Sequence, residues 1–323
     1  MNKKTEIEII KQRVNSKKQL KNCNLQKIAK IKAHEDYITT IANFPSGNFI
    51  SLSWDKSIKI FDKIYRTIHH IKNAHNDWVR SVAIENDDFF ITCSLDCSIK
   101  SWLKKENEYI NHQTIERAHE TDINKIIFSS NRYLLSCSDD HLIKIWKKVE
   151  DNKYKFLLYI SHTDKVYSLL LFEDKNCLVS TGHYETKIWN FNINNLNDIK
   201  TIKIFDFDTY CECRNVLNRL DEDKFFVGGK NKSSLKIISI SKNEILYTIE
   251  IPFQCLCIRT IYERGIFLVG GYSKDLLIFR SDNYELLQKY ENAHEQYIEG
   301  ITQLSNGLIA THGWDQNINI WNF

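Results

Sequence analysis

One interval governs what this chain can fold into. His294 and Trp321 stand 27 positions apart, and the same 27 separates His34 from Phe61, His75 from Trp102, His119 from Trp146 and His162 from Trp189. The C-terminal copy shows the outline best: HEQYIEGITQLSNGLIATHGWDQNINIW holds two apolar runs of strand type, a tight turn at Asp315-Gln316, and a third run that ends in an aromatic. Such a pattern predicts three antiparallel strands. A fixed interval that occurs five times marks an internal repeat, and units of about forty residues bury their faces only by stacking on one another. The chain is therefore expected to be a series of stacked sheets.

Taken in order, residues 25–32 (LQKIAKIK) form a strand that runs into Ala33-His34 without a repeat before it. The segments RTIHHIKNAH (66–75) and YELLQKYENAH (284–294) likewise pair a strand with the Ala-His that opens the next unit. Each full repeat thus has four strands, three inside the His-to-aromatic unit and a fourth crossing to the next. Turns fall at Asp55-Lys56, Asp96-Cys97 and Asp140-His141. The apolar residues four and seven positions after each His (Ile38 and Ile41, Val79 and Val82, Ile123 and Ile126, Ile298 and Ile301) set the register. Between residues 190 and 293 the pattern fades, but 225–240 and 267–280 keep a Gly-Gly, hairpin and closing-strand order. Counting back 27 from Ile238 and Phe279 lands on Cys211 and Pro252, so the marker His is missing from both. With these two the chain has seven units.

Composition narrows the class. Ten glycines and two prolines in 323 residues exclude collagen-like or low-complexity character, and 42% hydrophobic residues supply enough to bury. The net charge is +3, of which residues 1–21 contribute +5 (Lys3, Lys4, Lys11, Arg13, Lys17, Lys18 and Lys21 against Glu6 and Glu8). A nearly neutral body argues against a broad nucleic-acid face, since phosphate binding rests on concentrated positive charge. Residues 1–23 are expected to be a basic tail, disordered in preference to a short helix built on Ile7, Ile10 and Val14. Wholly apolar runs such as Leu169 to Phe172 are too short to span a bilayer. Nine scattered cysteines and no signal peptide suit a reducing compartment, so the expected location is cytoplasmic, with nuclear as the alternative. Cys211-x-Cys213 and Cys255-x-Cys257 are spaced too tightly for a structural zinc knuckle, and neither metal nor cofactor is expected.

The Ala-His opening, the Ser/Thr-x-x-x-Asp hairpin and the closing Ile-Lys-Ile-Trp (143–146) resemble the WD-repeat β-propeller family, over residues 24–323. The resemblance implies an all-β, seven-bladed propeller, blades five and six degenerate, in which residues 25–32 complete the last blade. It also assigns the recurring polar residues. His75, Thr92, Asp96 and Trp102 form one set; His119, Ser136, Asp140 and Trp146 a second; His294, Thr311, Asp315 and Trp321 a third. These types could make a catalytic triad, but an active site needs one constellation in a cleft, not three at identical spacing. The family reading is a structural network in which the indole meets the hydroxyl, the hydroxyl meets His, and His meets Asp. Blade one keeps His34, Ser51 and Asp55 but has Phe61 for Trp, and blade four has Gly182-His183-Tyr184-Glu185 where the Asp belongs, with one residue deleted.

In the family architecture the residue before the hairpin Asp and those three and five after the His point to the top face around the channel. Here they include Trp54, Leu95, Asp139 and Trp314; Tyr37, Trp78, Asp122, Lys165 and Tyr297; and Thr39, Arg80, Asn124, Tyr167 and Glu299. Tyr297, Trp314, Tyr37, Trp54 and Trp78 fall on three adjacent blades, with Arg80, Asp122 and Asp139 beside them. Aromatics rimmed by charge are the usual make-up of an interface hot spot. The expected function is a non-catalytic scaffold that binds a peptide or protein, one carrying an exposed Arg or Lys, on this face. The alternatives are a constitutive subunit of a larger complex and an RNA-binding propeller that uses the basic arm.

Overall fold

The computed structural model describes residues 24–129, 133–206, 215–228 and 233–323. The tail of residues 1–23 and the Cys211-x-Cys213 pair lie outside the described residues. Among the described residues, 28 strands form seven four-stranded antiparallel sheets. The seven sheets comprise strands within residues 38–71, 79–115, 123–161, 166–206, 218–250 and 255–290, and a last sheet that joins 298–322 to Gln26–Lys32. No helix of the described residues is long and apolar enough to cross a membrane.

Sequence pattern explains the layering within each blade. The second strands of blades two and six, Phe89–Ser94 (FFITCS) and Ile266–Gly271 (IFLVGG), are wholly apolar or small, and every residue in them is buried. Outer strands such as Gln26–Lys32 (QKIAKIK) alternate charge with apolar residues and stay largely exposed. A sheet buried on both faces needs a neighbour on each side, and a closed ring supplies it to every blade. The core accordingly divides into seven clusters, each shared by two adjacent blades. Between blades one and two, for example, Ile50, Leu52 and Ile60 pack on Val79, Phe90 and Trp102.

Ring closure falls between the chain's two ends. Gln26 pairs with Asn322 and Lys32 with Asn317, so the N-terminal strand is the outer strand of the seventh blade. Leu25 is buried in the same cluster as Trp321. Lys27 lies over the Trp321 ring at 5.0 Å, and its ammonium donates to the Ala293 carbonyl at 2.9 Å. The seam thus has apolar, cation–π and backbone contacts of its own.

One irregularity recurs. In blades one, two, three, four, six and seven the pairing of the innermost strand with the second slips by one residue, between Ile38 and Thr40, Val79 and Ser81, Ile123 and Lys125, Val166 and Ser168, Cys255 and Cys257, and Ile298 and Gly300. The extra residue of such a bulge turns its side chain away from the ladder. Those residues are Thr39, Arg80, Asn124, Tyr167, Leu256 and Glu299, and the first five are buried.

Candidate functional site

Two polar arrangements need to be told apart, a buried one repeated from blade to blade and an aromatic one that occurs once. In blade three, Trp146 Nε1 donates to Ser136 Oγ at 2.8 Å, Ser136 lies 2.7 Å from His119 Nε2, and His119 Nδ1 lies 2.8 Å from Asp140 Oδ2. Blade two repeats it with Trp102, Thr92, His75 and Asp96 at 2.9, 2.8 and 3.0 Å. Blade seven does so with Trp321, Thr311, His294 and Asp315 at 2.8, 2.7 and 2.9 Å. Proton positions follow by elimination. An ionised Asp can only accept, so His Nδ1 carries the proton, His Nε2 accepts from the hydroxyl, and the hydroxyl oxygen accepts from the indole.

Electrostatics agree with that assignment. Burial pushes His75 and His119 below the ordinary histidine range and keeps them neutral. Burial also opposes ionisation of Asp315, but hydrogen bonds from His294 and from the Glu295 and Asn317 N–H groups outweigh it and hold the carboxyl at about 2. Ser136, Thr92 and Thr311 are fully buried and have both roles of their hydroxyls occupied. They present no nucleophile to a substrate.

The incomplete blades show what the network requires. In blade one His34 bonds Ser51 at 2.7 Å and Asp55 at 2.9 Å, while Phe61 packs flat on Phe49 instead of donating. In blade four Trp189 still donates to Ser180 at 2.8 Å, nine residues away instead of ten, as the deletion requires. Glu185 occupies the place of the missing Asp, 3.1 Å from His162 Nδ1, but without hydrogen-bond geometry, and among the described residues neither ring nitrogen of His162 has a well-formed hydrogen bond, so the network of blade four is broken at His162.

A different rule places the aromatic residues. In five blades the N–H of the residue before the hairpin turn donates to the carbonyl of the residue preceding the innermost strand: Trp54 to Tyr37, Leu95 to Trp78, Asp139 to Asp122, Tyr272 to Gln254 and Trp314 to Tyr297, at 2.9 to 3.1 Å. That bond sets both side chains on the same rim. From blade to blade the rings then touch. Tyr297 meets Trp314 at 5.1 Å, and Trp314 stacks on Tyr37 at 4.7 Å with planes 11° apart. Tyr37 meets Trp54 at 4.7 Å, and Trp54 stacks on Trp78 at 3.5 Å.

The structure also departs from the sequence reading around this face. Arg80 is not on the rim: it is 6% exposed, because it is the bulged residue of its strand, and its guanidinium lies 5.4 Å from the Trp54 ring and 5.1 Å from Trp78. Thr39 and Asn124 turn inward in the same way, donating to the Val79 and Val166 carbonyls of the next blade at 2.6 and 3.0 Å. Asp139 is engaged by Lys165 at 2.7 Å and Asn124 at 2.6 Å, with Asp122 half-buried beside it. Tyr272 was missed. It meets Tyr297 at 5.0 Å and Trp314 at 5.8 Å, and its signal was Gly271-Tyr272, which occupies the place of Gly313-Trp314 in a blade without the marker His. Glu299, at a bulge, accepts from Trp314 Nε1 at 3.1 Å and fixes that indole. Among the described residues, no three His, Cys, Asp or Glu side chains gather as a metal-holding group.

Seven four-stranded sheets in a ring, three of them carrying a complete indole–hydroxyl–imidazole–carboxylate chain, define a seven-bladed β-propeller. The family model described as "WD domain, G-beta repeat" matches residues 25–62, 66–102 and 111–147, so these repeats are WD40 repeats. Among solved structures, the WD40 β-propeller domain of Doa1 superposes with a TM-score of 0.74 over 93% of this chain and 98% of that one, at 18% identity, a likeness of fold alone. Maturase-like protein 2 of Euglena gracilis is 28% identical over 102 residues, and mitochondrial division protein 1 of Schizosaccharomyces pombe 30% identical over 76. Those matches cover 31% and 23% of this chain but only 13% and 12% of the two relatives.

Proposed function

We propose that this propeller is a non-catalytic interaction scaffold that receives a peptide or protein segment on its aromatic rim. The observation that carries the reading is the unbroken run Tyr297–Trp314–Tyr37–Trp54–Trp78, five rings from three blades in mutual contact on one face. Large amphipathic rings that are half-buried without a partner offer much apolar area at little cost in side-chain entropy, which is why such residues dominate interface energetics. Arg80 already occupies the space against Trp54 and Trp78. An incoming Arg or Lys is therefore directed to the blade-seven end, where Tyr297 is 38% exposed and Glu299 lies beside Trp314.

RNA stacking is the less favoured reading because Trp54, Trp78, Tyr37 and Trp314 use ring faces on one another. Affinity purification of the whole chain beside the Trp54→Ala/Trp314→Ala double variant, with partners identified by mass spectrometry, tests the proposal. Loss of the principal protein partner is expected from a variant that still unfolds in one cooperative transition, with a melting temperature lowered by a few degrees as the lost inter-blade stacking requires. Undiminished capture by the double variant would overturn it, and a partner pool dominated by RNA lost at high salt would favour the nucleic-acid reading.

A further inference from the structure

The outer edge of blades seven and one differs in charge from the rest of the ring. Residues 26–32 and 56–72, which hold the outer strand of blade seven and the third and fourth strands of blade one, carry eight lysines and arginines against Asp62, a balance of +7. Residues 1–21, which lead into this edge in sequence, add +5, leaving −9 for the rest of a chain whose net charge is +3. Lysines on an outer strand also keep a sheet edge from pairing, but the outer strand of blade five does that with Glu244 and Glu250. One sign gathered on two adjacent blades therefore calls for another cause. Arg66 is paired with Asp62 at 2.8 Å and Lys30 with Glu295, whereas Lys59, Lys63 and Lys72 enter no ion pair among the described residues.

Exposed isoleucines stand among these cations. Ile28 and Ile68 are the extra residues of bulges in the outer strands of blades seven and one, each next to the partner of the closing aromatic (Trp321 and Phe61), so they hold the same place in adjacent blades. They are 50% and 42% exposed. Ile64, at 64% the most exposed large apolar side chain of the described residues, lies in the turn between the third and fourth strands of blade one. That turn is firmly built. Asp62 Oδ1 accepts from the Ile64 and Arg66 N–H groups at 3.0 and 2.9 Å, and Oδ2 accepts from the Arg66 guanidinium at 2.8 Å. Ile64 is thus fixed in the open between Lys63 and Arg66.

We propose that this edge is a peripheral docking surface for an anionic lipid bilayer. Basic residues near such a surface are drawn by its negative potential, each adding about fivefold to partitioning. Aliphatic side chains set among them enter the boundary between headgroups and acyl chains. Either contribution alone holds a protein weakly, and here both stand on one edge. Nucleic acid suits the edge less well, because isoleucines have no ring to stack on a base.

Co-flotation of the full chain with vesicles of phosphatidylcholine, or of phosphatidylcholine and phosphatidylserine in equal parts, tests the proposal, with an RNA oligonucleotide as the competing probe. Binding to the anionic vesicles alone, weakened by salt, is expected. Ile64→Ser should weaken it about tenfold through lost apolar burial, and Lys63→Glu about twentyfold through the reversed charge. Both side chains are exposed, so both variants should melt as the parent does; if the turn variants fail to fold, Ile68→Ser takes the place of Ile64→Ser. Absence of binding to the anionic vesicles would overturn the proposal, as would vesicle binding that these substitutions leave unchanged. Tighter binding to RNA, reduced by Lys63→Glu but not by Ile64→Ser, would also overturn it and assign the edge to nucleic acid.

Discussion

Trp54 and Trp78 stack at 3.5 Å with their planes 5° apart, although they belong to different blades and are 24 positions apart in sequence. The pair straddles the boundary between blades one and two, and Arg80 lies against both rings. A double-mutant cycle of Trp54→Ala and Trp78→Ala in urea should give a coupling energy of about 1 kcal/mol. Arg80→Met should lower stability while the partner-binding face keeps its composition. A coupling near zero would mean that the two indoles are independent caps of their own strands.

Removal of a network hydroxyl should cost more where an indole depends on it. Ser136→Ala leaves both the Trp146 N–H and His119 Nε2 without a partner in the interior, a loss of about 3 kcal/mol. Ser51→Ala strands only His34, since Phe61 donates nothing, and should cost about half as much, about 1.5 kcal/mol. Equal costs from urea unfolding would show that the indole N–H contributes little.

The seam predicts an asymmetry between two truncations. Deleting residues 1–21 should leave the melting temperature nearly unchanged, whereas deleting 1–33 removes the outer strand of blade seven and Leu25 with it. The strand Asn317–Asn322 then becomes an unpaired edge, which favours association between molecules. Aggregation or loss of a cooperative transition is expected for the longer truncation. Monodisperse, cooperatively folding protein after the loss of residues 1–33 would show that the outer strand is dispensable.

Acid should destabilise the fold in two overlapping stages. Folded-state values lie below unfolded ones both for His75, His119, His162 and His312, the last two at about 3, and for Asp55, Asp96, Asp140 and Asp315. For groups depressed on folding, the unfolded chain binds more protons, so stability rises with pH. Their contribution is complete above about 7 and declines as pH falls, first through the histidines below about 6.5, then through the carboxylates below about 3.9. Thermal melts from neutral pH to pH 3 should fall monotonically, and His312→Asn should flatten the upper part of the curve. A melting temperature that rises on acidification would contradict the assignment.

Blades two, three and seven were legible because the four members of their polar network satisfy one another, and blades one and four because they keep part of it and the same interval from His to the closing aromatic. Indole, hydroxyl, imidazole and carboxylate satisfy one another in the interior, so they stand at fixed spacing, as His119, Ser136, Asp140 and Trp146 do. Blades five and six bury aliphatic and aromatic side chains instead, for instance Leu235, Ile237 and Phe226 packed on Phe267 and Val269. Many apolar residues would serve in those positions, so no single residue type marks the register. Tyr272 escaped notice for that reason. The inward turn of Arg80 was hidden because a bulge changes where a side chain points without changing any residue type.

Sequence alone determined the repeat, the strand order within each unit, and the unattached strand at residues 25–32, because local hydrogen-bond satisfaction recurs at an interval of 27 positions. Tertiary structure alone decided which residues of separate blades share a surface. Ring closure brings Tyr37 onto Trp314, and sets Lys125 against Asn215, 90 positions away, beside His312. Contacts between blades depend on how the stacked sheets are rotated and where the ring shuts, and no short-range pattern of residue types encodes either.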